Sequence, residues 1–368
     1  MLEHLRLAEI ESILTLISPF IILILSAYSI LLPSFIWTWI SSSYILILLY
    51  FIPFLLLTRW FARGGQCKEV ETANLTGQTF LITGAASGIG KETAIELVKR
   101  NARVILFTRP SKISQTINDV KKFTRLPDNV TGYGLDLSDL QSIRSCVETF
   151  IKNENENIKI IALINNAGIM ACPYGKTKDG LELQMGTNHF GHFYFTQLLL
   201  PRLRSARIVN VSSAAHFMWQ VPCDAAHYNQ MCNPNTYHPF SAYSLSKSAN
   251  ILFTRELQRR YFSTHNITAY SLHPGTVNTE LDRHMSMNNI LRQLIKPIRY
   301  LIFKSPLEGA QTNLYCALSN DAQPGEYHTD CRPMPVFHKY AKDDKLAEEW
   351  WNFSEKIIYE KLKDIKQN

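Results

Sequence analysis

The stretch TFLITGAASGIG, residues 79–90, places a glycine-rich turn between a short apolar strand and the start of a helix. In such a turn Gly84 permits a tight bend, Gly88 lets the backbone approach a pyrophosphate, and Gly90 lets the helix pack against the strand. The free N–H groups and the positive dipole at the start of the helix favour bound phosphate. This context predicts a dinucleotide-binding site. Two more residues of the turn are assigned to the same site, Ser87 and Ile89.

Beyond this turn, apolar strands alternate with helical stretches. The predicted strands are Thr79–Thr83, Arg103–Thr108, Val130–Leu135, Ile160–Ile164, Ile208–Val211 and Ile267–Leu272. Helical spacing is found over Lys91–Arg100, and a last amphipathic helix is predicted from Leu346 to Ile365. Such alternation is typical of a parallel sheet that is covered by helices on both faces. The predicted fold class is therefore α/β, with a Rossmann-type doubly wound parallel sheet.

A long apolar segment, residues 13–57, precedes this domain and carries no charged side chain. A membrane-spanning helix needs about 20 apolar residues, so the segment predicts an N-terminal helical membrane anchor with either one or two spans. A cleaved signal peptide is disfavoured because the apolar region is too long. Arg59, Arg63 and Lys68 follow the segment, whereas only Arg6 precedes it. The positive-inside rule therefore favours a cytosolic catalytic domain on the endoplasmic reticulum or a related intracellular membrane.

These patterns divide the chain into three regions. Residues 1–70 form the predicted anchor, 75–335 the dinucleotide-binding catalytic domain, and 336–368 a helical tail. The formal net charge is +7, but the basic residues are scattered without an arginine-rich stripe, which argues against nucleic acid as a partner. The seven cysteines include no CxxC pair, which argues against a metal site and against a disulfide framework.

The residues after the second, third and fourth strands bear on the choice of cofactor. An acid that binds the ribose 2′-hydroxyl of NAD usually follows the glycine turn by about 20 residues, but here the strand ends in Thr108-Arg109-Pro110. Arg109 can pair with a 2′-phosphate, so NADP(H) is predicted, with NAD(H) as the alternative. Asp136 accepts a hydrogen bond from the adenine amino group, caps the helix that begins near Ser138, or does both. Small residues after the fourth strand leave room for the cofactor: Asn166, Ala167 and Gly168.

Tyr243 and Lys247 lie four residues apart in YSLSK and therefore share one helical face. A free tyrosine has a pKa of roughly 10, and a nearby ammonium lowers that value because it favours the phenolate. Lys247 can supply this charge and can also hold the nicotinamide ribose. Tyr243 would then exchange a proton with the substrate oxygen while hydride is transferred. Ser213, just past the fifth strand, would orient that oxygen.

Together these motifs resemble the short-chain dehydrogenase/reductase superfamily, from about Leu75 to Arg332. The resemblance implies a sheet of about seven strands and a catalytic tetrad of Asn, Ser, Tyr and Lys. It assigns Asn188, in TNHFGHF, to the tetrad, where it would hold a water in a proton relay through Lys247. It also assigns residues of HPGTVNT to the nicotinamide carboxamide: Pro274, Gly275 and Thr279. Members of this superfamily often pair through the helices that carry the Asn and the Tyr, so a homodimer is a possible assembly.

Longer stretches are similar to the retinol dehydrogenases and their membrane-bound relatives: TKDGLELQMGTNHFGHF, SAYSLSKSANILFTREL, FKSPLEGAQTNLYCAL and WNFSEK. This resemblance implies an NADP(H)-dependent alcohol dehydrogenase or carbonyl reductase with a lipophilic substrate at the bilayer. Retinoids are the first expectation, followed by polyprenol or dolichol-type lipids, hydroxysteroids and fatty aldehydes. The interval between Ser213 and Tyr243 is longer than in the simplest members, which implies a reshaped pocket entrance. A reductase of small soluble carbonyls and a catalytically silent membrane scaffold are the rival interpretations.

Overall fold

The computed structural model describes residues 37–218, 220–279, 296–336 and 338–367. Within these residues the chain forms two compact units. The smaller unit comprises residues 37–64 and 296–304, and the larger unit comprises residues 65–279 and 305–367. All strands and all residues that the sequence assigns to the site lie in the larger unit.

The described α-helices, in chain order, are α1 (Trp37–Arg63), α2 (Lys68–Thr72), α3 (Gly88–Val98), α4 (Ile113–Lys121), α5 (Leu140–Asn153), α6 (Leu183–Met185), α7 (Gly191–Leu199), α8 (Ala225–Met231), α9 (Pro239–His265), α10 (Lys296–Ile302), α11 (Pro306–Leu318) and α12 (Asp344–Gln367). The described strands are β1 (Thr79–Thr83), β2 (Arg103–Thr108), β3 (Val130–Gly134), β4 (Ile160–Asn165), β5 (Arg207–Val211), β6 (Thr268–His273), β7 (Tyr327–Thr329) and β8 (Arg332–Pro333).

The strands form one sheet in the order β3-β2-β1-β4-β5-β6-β7-β8. Every neighbouring pair is parallel except β7 and β8, which run antiparallel. The first strand, β1, lies inside the sheet, with β2 and β3 on one side of it and β4 to β8 on the other. This order is that of a doubly wound fold. The predicted α/β class and parallel sheet are confirmed. The resemblance implied about seven strands, and the eighth is the two-residue β8, which has no apolar run of its own.

The sheet separates two apolar cores, because its central strands are buried on both faces. One core contains Phe80, Ile82 and Val104 together with side chains of α3 and α11. The other contains Leu81 and Ile105 together with side chains of α5, α7, α9 and α12. The predicted terminal helix is present as α12, and two adjacent tryptophans of that helix are among the most deeply buried side chains, Trp350 and Trp351.

The smaller unit consists of α1, α10 and their flanking residues. The Arg59 Nη1 atom donates a hydrogen bond to the Phe303 carbonyl at 3.0 Å, and the Arg59 guanidinium lies 5.2 Å from the centre of the Tyr300 ring. Several apolar side chains of α1 are exposed to solvent, including Leu56 and Trp60. The first predicted membrane span lies outside the described residues. No helix in the part of the chain that the structure describes is long and apolar enough to cross a membrane.

Candidate active site

The glycine turn after β1 is tightly packed against its neighbours. Gly84 has a φ of +68°, and a Cβ on this residue would lie only 2.7 Å from the Cα of Ala167. A Cβ on Gly90 would lie 2.6 Å from the Gly84 carbonyl oxygen. A Cβ on Gly88 would lie 3.0 Å from the Thr279 side chain, which brings the segment after β6 to the same turn. Helix α3 begins at Gly88, earlier than the predicted Lys91. The prediction began too late because the first turn contains two glycines, which are poor helix formers.

The loop after β4 is held by the side chain of Thr83. The Thr83 Oγ1 atom accepts hydrogen bonds from the backbone N–H of Asn166 at 2.9 Å and from that of Ala167 at 3.0 Å. The Asn166 amide donates to the Thr83 carbonyl at 3.0 Å. The preceding Asn165 donates to the Asn210 side chain at 2.8 Å and so ties β4 to β5. These bonds fix the loop that the sequence assigns to the cofactor, and Gly168 follows directly.

Arg109, Ser87 and Asp136 lie at the same carboxyl edge of the sheet. Arg109 is exposed just after β2, and it has no acidic partner among the described residues. Ser87 is the N-cap residue of α3, but its hydroxyl does not accept the usual cap hydrogen bond. The prediction that Asp136 caps the next helix is wrong. Asp136 instead accepts from Ser138 in a turn, and Asp139 caps α5.

The four predicted tetrad residues lie close together near this edge of the sheet. Tyr243 and Lys247 lie on α9, both buried, with the Lys247 Nζ atom 5.5 Å from the centre of the Tyr243 ring. The Lys247 ammonium donates to the Val211 carbonyl, at the end of β5, at 3.0 Å. A Cβ on Gly168 would lie 3.6 Å from Lys247 Nζ and 3.3 Å from Asn188 Oδ1. Lys247 and Asn188 therefore both lie close to the loop that carries Gly168.

Ser213 completes the group. Its backbone lies just past β5, and its hydroxyl accepts a hydrogen bond from the backbone N–H of Ala215 at 3.1 Å. The nearby Ser213 hydroxyl favours the phenolate and lowers the Tyr243 pKa, but burial has the larger opposite effect. Two of the four predicted tetrad residues, Ser213 and Tyr243, are therefore neighbours.

Burial dominates the ionisation of Tyr243 and Lys247. It raises the pKa of Tyr243 to about 12, because the phenolate is poorly solvated there. It lowers the pKa of Lys247 to about 8, for the same reason applied to a cation. The net shift of the Tyr243 pKa is therefore upward, opposite to the predicted lowering, because burial outweighs the effects that favour the phenolate. The neutral phenol is the stable form of Tyr243 at neutral pH.

Asn188 lies in a single π-helical turn, Gly186–Phe190, between α6 and α7. Such turns widen the helix by one residue and often occur at functional sites. The Asn188 amide donates to the Ile169 carbonyl at 2.9 Å and to Ser246 Oγ at 3.0 Å, and its Oδ1 accepts from the Ile169 backbone N–H at 2.9 Å. The side chain therefore joins the cofactor loop to α9.

Sequence reasoning missed two residues of this site. Thr83 was assigned to a strand and to the start of the glycine-rich motif but was given no role, and His192 was not assigned at all. The His192 ring lies 2.8 Å from Thr83 Oγ1 and 3.0 Å from the Asn188 carbonyl oxygen. The spacing of four residues between Asn188 and His192 was the available signal, because it places both on one helical face.

The sequence and fold match known proteins. A family model described as short chain dehydrogenase matches residues 78–225. Retinol dehydrogenase 12 from Homo sapiens is 41% identical over 305 residues, which cover 82% of this chain and 92% of that protein. Retinol dehydrogenase 11 from Homo sapiens is 39% identical over 318 residues, which cover 84% and 95%.

Among solved structures, an uncharacterised protein from Mycobacterium Paratuberculosis matches with a TM-score of 0.59 and 34% sequence identity, covering 80% of this chain and 97% of that one. The similarity to the retinol dehydrogenases extends over nearly their whole length. The chain therefore belongs to the short-chain dehydrogenase family, in its retinol dehydrogenase-like branch, and is an oxidoreductase that acts on alcohols.

Proposed function

We propose that this protein transfers a hydride between NADP(H) and a lipophilic alcohol or its carbonyl partner, and that this substrate is a retinoid. The observation that carries the proposal is the position of Lys247 Nζ, 3.6 Å from where a Cβ on Gly168 would lie, with Tyr243 one turn earlier on the same helix. This arrangement puts a proton donor and a cation beside the loop that follows the dinucleotide turn.

The chemistry of the site fits hydride transfer in either direction. In carbonyl reduction, bound nicotinamide supplies the hydride, and a proton must reach the carbonyl oxygen. The neutral Tyr243 hydroxyl can donate that proton directly, because burial keeps it protonated. Ser213 would orient the same oxygen. The phenolate that remains after donation would be stabilised by the Lys247 ammonium, whose Nζ is 5.5 Å from the ring centre.

The residues around the glycine turn fit a dinucleotide. Gly84, Gly88 and Gly90 leave no room for side chains, and the first turn of α3 presents free N–H groups to phosphate. Further residues assigned to the cofactor are Ser87, Ile89, Asp136, Asn166, Ala167, Pro274, Gly275 and Thr279.

Arg109 supports NADP(H) over NAD(H), because it is exposed at the end of β2, where a 2′-phosphate would lie. We expect Arg109→Asp to reverse the preference by removing the cation and repelling the phosphate. The ratio of kcat/KM with NADPH to that with NADH measures this effect. Lys112, also exposed nearby, provides the control variant Lys112→Asp, for which we expect a smaller change. An unchanged ratio in Arg109→Asp would contradict the assignment.

The apolar segment before the catalytic domain supports a lipophilic substrate. We propose residues 1–70 as a membrane anchor, 75–335 as the catalytic domain and 336–368 as a helical tail, with the catalytic domain on the cytosolic side of the endoplasmic reticulum. A pocket held at a bilayer would receive substrate from the lipid phase, where long-chain alcohols and aldehydes are concentrated. The names of the human relatives favour a retinoid within that class.

The direct test uses the full chain purified in detergent. Oxidation of NADPH is followed with retinal, a polyprenal, a steroid ketone, a fatty aldehyde and a small soluble ketone. We expect the highest kcat/KM with retinal, and Tyr243→Phe should lose nearly all of this activity while it still binds NADPH. Higher turnover of the small ketone would contradict the proposal. Retinal turnover that persisted in Tyr243→Phe would exclude the proposed proton donor.

A further inference from the structure

His192 lies on α7, one helical turn after Asn188, and only 2% of its surface is exposed. Both of its ring nitrogens have partners. Nδ1 is 3.0 Å from the Asn188 carbonyl oxygen, and Nε2 is 2.8 Å from Thr83 Oγ1. The ring thus bridges the π turn that carries Asn188 and the end of β1, 109 residues away in the chain.

The hydrogen bonds around Thr83 determine which nitrogen carries the proton. Thr83 Oγ1 already accepts from two backbone N–H groups, those of Asn166 and Ala167. A hydroxyl has two acceptor positions and one proton, so Thr83 must donate its proton. His192 Nε2 at 2.8 Å is a much better acceptor than the Ile164 carbonyl at 3.5 Å. Nε2 therefore accepts, and Nδ1 carries the hydrogen that is donated to Asn188.

The neutral form of the ring suits this arrangement. The pKa of His192 is lowered to about 4, mainly by burial; the hydrogen bond to Asn188 opposes this shift, and the nearby Lys247 charge adds to it. A protonated ring would have a hydrogen on Nε2 facing the hydroxyl that must donate to it. The neutral ring with its hydrogen on Nδ1 therefore makes both hydrogen bonds, to Asn188 and to Thr83, across the working pH range.

We propose that His192 is a positioning residue that fixes Asn188 relative to the cofactor loop. The inference rests on the proposed function. Thr83 holds the backbone of Asn166 and Ala167, and Asn188 holds the backbone of Ile169 through two hydrogen bonds. His192 bonds to both Thr83 and Asn188 and so connects these two sets of hydrogen bonds.

Gly168 lies in the chain between Ala167 and Ile169, which these hydrogen bonds hold, and a Cβ on Gly168 would lie 3.6 Å from Lys247 Nζ. A loss of the bridge would therefore let the π turn and the loop move independently next to the reacting groups. Small misplacements of this kind lower turnover more than substrate binding.

The matched variants are His192→Leu, His192→Gln and His189→Leu, all in the full-length protein. Leucine fills the site but removes both hydrogen bonds, whereas the glutamine amide has one donor and one acceptor and can restore them. His189 is an equally buried histidine of the π turn, but its ring contacts Trp350 and Ser354 of α12 and neither Asn188 nor Thr83. His189→Leu therefore controls for a general loss of stability.

We expect His192→Leu to lower kcat for the carbonyl substrate by about tenfold to a hundredfold, with KM and the Kd for NADPH changed by less than about threefold. His192→Gln should recover most of kcat, and His189→Leu should lower Tm with little change in kcat. Equal losses of kcat in His192→Leu and His189→Leu, or no recovery by glutamine, would overturn the proposal.

A second measurement does not depend on activity. In ¹⁵N-histidine NMR, with the signal of His192 assigned by its loss in His192→Leu, the ring should remain neutral with its hydrogen on Nδ1 from pH 5 to 8. A ring that titrates near its ordinary pKa of about 6.5, or one with its hydrogen on Nε2, would overturn the bridge. If the wild-type protein binds NADPH but reduces no carbonyl, the proposed function fails, and this spectrum still decides the role of His192.

Discussion

Trp350 and Trp351 provide a sharp test of the packing of α12, because the same substitution should affect them differently. Each side chain is 1% exposed. The Trp350 indole N–H donates to His189 Nε2 at 2.9 Å. The Trp351 indole N–H is buried and has no hydrogen-bond partner among the described residues. Replacement by Phe removes the N–H group from both and leaves a similar small cavity.

The expected magnitudes follow from these partners. The cavity costs each variant about 1 kcal/mol. Trp350→Phe also loses a buried hydrogen bond, worth about 1 kcal/mol. Trp351→Phe removes an unsatisfied donor whose burial costs about 1–3 kcal/mol, which offsets its cavity. Trp350→Phe should therefore be less stable than Trp351→Phe by about 2 kcal/mol or more, which corresponds to roughly 4 °C in Tm for a domain of this size.

The assay is thermal unfolding of both variants in one detergent at a single scan rate, because large proteins often unfold irreversibly. Tyr359→Phe, at an exposed position of the same helix, is the control and should match the wild type. Equal Tm values for the two tryptophan variants would refute the hydrogen-bond assignment. Tm values equal to the wild type for both would show that α12 does not pack in solution as described.

Two further predictions concern the site. Carbonyl reduction should decline as pH rises through about 8, because burial lowers the pKa of Lys247 to about 8 and the ammonium is lost above that value. A profile of kcat/KM against pH that stays flat to pH 10 would contradict this role for Lys247. Gly90→Ala should weaken NADPH binding by tenfold or more, roughly, because its Cβ would lie 2.6 Å from the Gly84 carbonyl oxygen. Gly77→Ala, which has open space around its Cβ but a φ of +77° that strains alanine, should lower Tm and leave the Kd unchanged.

The strands could be predicted from the sequence because each central strand is buried on both faces and reads as an apolar run. The bounds of β1 and β2 agree with the prediction, while β6 begins one residue later than predicted. The cap of α5 was misassigned because Asp136 and Asp139 are both suitable residues near its start, and only the backbone geometry distinguishes them. The role of Thr83 depends on a loop more than 80 residues away, which no local pattern reveals.

Helix α12 shows the same limit and bears on assembly. Its amphipathic pattern predicted the helix but not the surface against which it packs. Trp351 lies 4.8 Å from Phe193 on α7 and 5.7 Å from Phe253 on α9, measured between ring centres.

A homodimer remains a prediction. Pairing through the helices that carry the tetrad would have to accommodate α12, which already covers part of α7 and α9.

The ionisation of Tyr243 shows why spacing alone could not predict the chemistry of the site. The sequence reveals that a phenol and an amine are four residues apart, and proximity alone would lower the phenol pKa. The fold buries both groups, and burial disfavours either charge when it stands alone. Attraction between the two charges offsets this cost only when both are present, that is, once the phenol has lost its proton while the amine is still protonated. In the proposed reaction, such a site would hold its proton until a carbonyl oxygen with developing negative charge accepts it, which would couple proton donation to hydride transfer.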